Sequence, residues 1–166
     1  MEQKQRATTD LKREFLRHTV ATLAYRGGKT VRDAPGSFAT FKIGEKTRTP
    51  IEILKHIGDL LKWAFLLAQG PYTWEEVPPQ SWEGEVKRFF EELKQLDDYL
   101  ASEAPLGNPP EKIFQGPIAD AINHVGQIAM LRRLAGSSVR GENYFKAEIV
   151  TGRVGPEQSS KRAEFD

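Results

Sequence analysis

The chain has 166 residues, 39% hydrophobic and 28% charged, with a formal net charge of +1 and no cysteine. That length suits one domain with a real core, and near-neutral, interspersed charge excludes a nucleic-acid binder that works through its overall field. The missing cysteines exclude disulfides, thiolate metal ligands and a cysteine nucleophile.

The N-terminus, Met1 to Asp10, is polar and lacks the apolar core of a signal peptide. The longest apolar segment, Trp63 to Ala68, is far too short to span a bilayer. A cytoplasmic location with no membrane partner is therefore the expectation. No internal repeat is visible.

The first helix is expected from about Thr9 to Arg26, capped by Thr9 or Asp10 and stopped by Gly27-Gly28. His18 on it reads as a surface or edge histidine. Gly27-Gly28-Lys29-Thr30 resembles the end of a phosphate-binding loop, but Leu23 stands where that motif needs glycine, and no strand precedes it. A helix C-cap is the better reading. Residues 27–49 then form a long connection in which Phe38, Phe41 and Ile43 suggest a short extended piece packed over one end of the domain.

Helix two starts at Thr49-Pro50 and ends at Gly70-Pro71, with Ile51, Leu54, Ile57, Leu61, Ala64, Phe65 and Ala68 as its core face and His56 at the margin. The loop at 70–80 carries Tyr72 and Trp74, and Trp74 is expected to seal the bundle end. Helix three begins near Ser81, with an apolar face from Trp82 to Leu100 and a charged face expected to be solvated, and closes before Pro105. Helix four is expected from Gly116-Pro117 to Gly136. In the tail, Tyr144, Phe145 and Ile149 suggest a short packed helix, and residues from Thr151 onward read as loose.

Helix four carries the sharpest chemical signal. Ile118, Ala121, Ile122, Val125, Ile128, Ala129 and Leu131 fill one broad arc, and His124, with Asp120 one turn earlier, falls towards the same side. A histidine and a carboxylate four residues apart can share one ion, which would satisfy two polar groups aimed at a core. The bland reading is a hydrogen-bonded core histidine or a local ion pair. His56 offers a third ligand from helix two. Three ligands leave positions open for water or substrate, and the donor set suits Zn, Ni, Fe or Mn without choosing among them.

Four long helices with two longer connections suggest an all-α four-helix bundle, a fold that places metal ligands on facing helices. Three stretches, Thr49 to Asp59, His124 to Leu134 and the helix layout over residues 8–136, make the chain resemble the DinB/YfiT-like family of metal-dependent proteins. Members of that family carry one histidine in helix two, matched by His56, and a His-x-x-x-His pair in helix four. His124, followed by Gly126-Gln127, matches the second histidine of that pair, and Asp120 replaces the first. The resemblance implies a single domain over residues 1–166, with a core at about 8–136. It also implies a divalent metal held by His56, Asp120 and His124. The activity implied is that of a thiol transferase or hydrolase acting on a small molecule, with a low-molecular-weight thiol as partner in the first case. Glu52, Asp59 and Gln127 are the expected orienters of the ligands. The competing reading is a non-catalytic bundle, a binding or stress-associated homodimer with a vestigial site.

Overall fold

The computed structural model describes residues 2–74 and 76–165, with side chains described from residue 11 onward. It is mostly helical. The long helices are α1 (Glu2–Val31), α2 (Pro50–Gln69), α3 (Trp82–Ala101) and α5 (Ala119–Leu134), with a short α4 (Pro110–Ile113) leading into α5 through a π turn at Phe114–Ile118. Among the described residues no helix is long and apolar enough to cross a membrane.

α1 packs against α3 and α5, and α2 packs against the same two helices. Arg13, near the start of α1, donates to the carbonyls of Tyr99, Leu100 and Ala104 at the end of α3. Arg132, near the end of α5, donates to Thr30 O and Arg32 O at the end of α1. α1 and α5 therefore run together, and α2 and α3 run together the other way. Between them lies an apolar core centred on Leu23, Phe38, Leu54, Ile57, Leu61, Phe89, Leu93, Leu96, Ile118 and Ile128.

Helix two begins as its sequence demands. Thr49 accepts from the Glu52 N–H, and the Glu52 carboxylate accepts from the Thr49 N–H, a reciprocal cap with Pro50 in the first turn. Ser81 caps α3 by accepting from Gly84 N–H.

Several expectations are corrected. α1 neither starts at Thr9 nor stops at Gly27-Gly28; it runs from Glu2 to Val31. The caps assigned to Thr9 and Asp10 concern side chains outside the described residues. Gly27 lies within the helix, and a Cβ there would come 2.5 Å from the Phe89 ring, so the glycine permits close contact with α3. The piece around Phe38 is a 3-10 turn, Gly36–Thr40, rather than an extended one, and it buries Phe38 edge-on against Trp82. Gly116-Pro117 does not begin helix four. Pro110 begins it, and Pro117 sits inside the π turn, where wider backbone bonding accommodates a residue that lacks an N–H and crowds the preceding turn. Trp74 leans on Trp63 of α2, ring centroids 5.9 Å apart.

The charged face of α3 is not solvated throughout. Glu85, Arg88, Glu92 and Asp97 are buried. Arg88 donates to Asp59 Oδ1 of α2 at 2.7 Å and lies within 4 Å of Glu85 and Glu92. Arg17 of α1 meets Asp97 through both of its carboxylate oxygens. Arg88–Asp59 and Arg17–Asp97 bridge the helices, whereas Glu85 and Glu92 meet Arg88 within α3 and each keeps one buried oxygen without a hydrogen bond.

The tail forms no helix, and it is docked rather than loose. A two-residue antiparallel bridge pairs Gly141–Glu142 with Glu164–Phe165. Lys29 of α1 donates to Glu142 and Glu164, each at 2.8 Å, and Tyr25 donates to Glu142. Val154 is buried and Ile149 packs against the core. Burial raises the Glu142 pKa, but hydrogen bonds from Lys29, Tyr25 and Ala163 N–H outweigh it, and the net shift is downward from 4.5. Burial first, and then the hydrogen bond to Glu142, push the Tyr25 pKa up to about 12. A carboxyl lowered in the folded state stabilises it above its unfolded pKa, and that contribution is lost as pH falls through the lowered folded value. Hydrogen exchange of residues 141–165 should therefore accelerate relative to the helices as pH drops below about 4.5 and should be flat above it, after correction for intrinsic rates.

Candidate metal centre

The core side of α5 is Ala121, Val125, Ile128 and Leu131. Asp120 and His124 stand one turn apart beside this stripe, at the seam with α2, where His56 faces them. They do not project into the core as the sequence pattern suggested: the Asp120 side chain is 48% exposed, His56 27% and His124 12%. The i, i+4 spacing aligned the pair correctly, but the apolar arc is narrower than the sequence implied, so the pair borders it instead of lying within it.

The three residues converge. His56 Nε2 lies 3.7 Å from Asp120 Oδ2, and His124 Nε2 lies 3.6 Å from Asp120 Oδ1. One ligand atom from each falls within 4.8 Å of the others. The imidazole rings meet edge to face, centroids 4.8 Å apart and planes at 84°. Separations of 3.6–3.7 Å are too long for hydrogen bonds. Two ligands about 2.1 Å from one tetrahedral ion lie about 3.4 Å apart. The two histidines approach different oxygens of Asp120 near that distance, and a ligand set spread over up to 4.8 Å would have to draw together to share one ion.

The protonation pattern also suits an ion. His124 Nδ1 is 2.9 Å from the Gln127 amide oxygen. That oxygen only accepts, so Nδ1 carries a proton and Nε2 is the ring nitrogen turned toward Asp120. Burial first, and then the neighbouring His124 and Arg48 charges, hold the His56 pKa below its usual value, against an upward pull from Asp120 and Asp59. A neutral imidazole is the ligating form.

Of the three expected orienters, Gln127 alone hydrogen-bonds one of the candidate ligands, His124. Glu52 is committed to the cap of α2. Asp59 turns to α3, held by Arg88 and by Lys55. His18 lies away from the site, its Nδ1 3.1 Å from Thr151 Oγ1.

Beside the histidines a groove of about 810 Å³ opens between α5 and the segment entering α2. Ile43, Ile53, Met130 and Leu131 supply apolar surface, and Arg48 stands at its edge. Sequence reading missed Arg48 and placed Ile43 over one end of the domain rather than beside the histidines, because both belong to a connection whose path the helical periodicity does not fix. A signal for Arg48 was present: it immediately precedes the Thr49-Pro50 cap, so it must lie at the entry end of the helix that carries His56.

No protein-family model matches this sequence, and neither a curated protein nor a solved structure was found to be similar to it.

Proposed function

We propose that the chain is a DinB/YfiT-like four-helix bundle that holds one divalent metal through His56, Asp120 and His124 and acts on a small-molecule substrate as a thiol transferase or hydrolase. The observation that carries this reading is the convergence of two Nε2 atoms on one carboxylate, 3.6 and 3.7 Å away, at a solvent-open helix seam. The mutual packing of α1 and α2 against α3 and α5 supports the bundle.

A bound divalent metal would supply Lewis acidity that lowers the pKa of a coordinated thiol or water to near neutrality. The chain's own residues hold and orient it. Gln127 fixes the His124 tautomer and ring direction through Nδ1. Asp120 contributes negative charge that offsets the cation, and its exposure leaves the seam open to a substrate from the groove.

Chelation tests this reading. Untreated protein should melt higher than protein stripped with a strong chelator, and adding back Zn at about a hundredfold over Kd should restore about 2.7 kcal/mol of stability. Identical melting with and without metal would contradict the site and favour a non-catalytic bundle.

A further inference from the structure

We infer that the groove beside the metal centre takes an organic anion with an apolar body, its anionic group held by Arg48. The inference adds a substrate class to the proposed metal site and rests on that reading for where the reactive end of the molecule goes.

Three independent features point this way. First, Arg48 is the one charged residue, the two histidines aside, among those that line the groove. Among the described residues it makes no hydrogen bond or ion pair. Its neighbour Glu52 has its carboxylate engaged by Thr49, and both Glu52 and His56 sense the Arg48 charge at a distance. A guanidinium with five donors and no carboxylate in contact recognises a planar anion. Second, Ile43 and Met130 are 54% and 51% exposed on the two walls. A ligand with an apolar body would cover both.

Third, Gly126 stands within α5, where glycine costs a helix about 1 kcal/mol relative to alanine. Packing does not account for it: a Cβ built there meets nothing within 4 Å. It is exposed and lines the groove with its neighbours His124 and Gln127. An arginine without a carboxylate partner beside two exposed apolar walls suits an amphiphilic anion.

The test compares 3-phenylpropionate with its neutral isostere 3-phenylpropionamide by calorimetry, on protein supplied with Zn and on stripped protein, with metal content measured on each sample. Wild type should bind the anion about tenfold more tightly than the amide, the discrimination of one charge-assisted contact. Arg48→Gln should bring the two Kd values to within about twofold at unchanged metal content. Gly126→Leu should weaken both probes at least about tenfold while raising the melting temperature, since leucine is the better helix residue.

Equal affinity for the two probes in wild type would overturn the inference. So would a preference that survives Arg48→Gln, which would place the carboxylate on the metal, or undiminished binding in Gly126→Leu. Metal content separates this from the functional reading. One metal per chain without anion preference sinks only the inference. Anion preference that Arg48→Gln abolishes, in protein that takes up no metal, keeps the anion groove and sinks the metal centre.

Discussion

Arg88→Leu should destabilise the metal-free protein by about 3–5 kcal/mol at neutral pH, the cost of removing one partner from a buried ionic group. Arg88 is 5% exposed and is the cation that Asp59, Glu85 and Glu92 share. After its removal Asp59 keeps Lys55 at 2.8 Å and Glu85 keeps the Gln80 N–H at 2.9 Å, but Glu92 loses its nearest opposite charge. Burial already holds the Glu92 pKa above 4.5 even with Lys62 and Arg88 pulling it down.

The sign of the pH dependence follows from that direction. A carboxyl raised in the folded state contributes stability below its unfolded pKa, and the contribution is lost as pH rises through the folded value. Losing Arg88 raises the Glu92 carboxyl further, so the deficit of Arg88→Leu should shrink between about pH 7 and pH 4. Urea unfolding at both values checks this. A loss below about 1 kcal/mol at neutral pH, or a deficit that stays constant on acidification, would contradict the buried network.

Asp120→Ala should weaken metal binding by at least about a hundredfold, beyond what changes outside the ligand set usually cause. Its effect on the metal-free fold should stay within about 0.5 kcal/mol, because the side chain is 48% exposed and neither of its contacts is within hydrogen-bond distance. Competition with a chromophoric chelator gives the first quantity and urea unfolding the second. Gln127→Ala should fall between this variant and wild type, about 10–100-fold weaker, because Nδ1 loses its acceptor but all three ligands remain. Equal metal affinity in wild type and Asp120→Ala would remove the carboxylate from the ligand set.

What was readable in the sequence was local. Thr49-Pro50-x-Glu52 is a complete helix-start signal within four residues, and α2 begins there. Asp120 and His124 share one helix, so fixed rise and twist brought them together without reference to the rest of the fold. His56 joined them because α2 and α5 pack side by side in opposite directions, which the sequence suggested only through the likeness of its histidine pattern to a metal-binding bundle.

What was not readable depends on partners distant in the chain. Asp59 and Arg88 are 29 residues apart, and Arg17 and Asp97 are 80 apart. Taken alone, each has the look of a solvated charge. Gly27 and Gly28 read as a helix stop because glycine usually punctuates; here they meet Phe89 and Phe90 across a helix contact that periodicity does not reveal. Residues from Thr151 onward looked loose because their composition is polar, but Lys29 holds Glu164 together with the buried Glu142, which Tyr25 also contacts. Arg48 escaped notice for the same reason: its importance comes from the groove that α5 completes some 75 residues later.

Metal content by elemental analysis, on protein purified without an affinity tag as wild type and His124→Ala, tests the central claim most directly. Near one Zn, Ni, Fe or Mn per wild-type chain, lost in the variant with the helical fold intact, is the expected result. No metal in either protein after incubation with excess ions, or equal metal in both, would contradict a centre built from His56, Asp120 and His124.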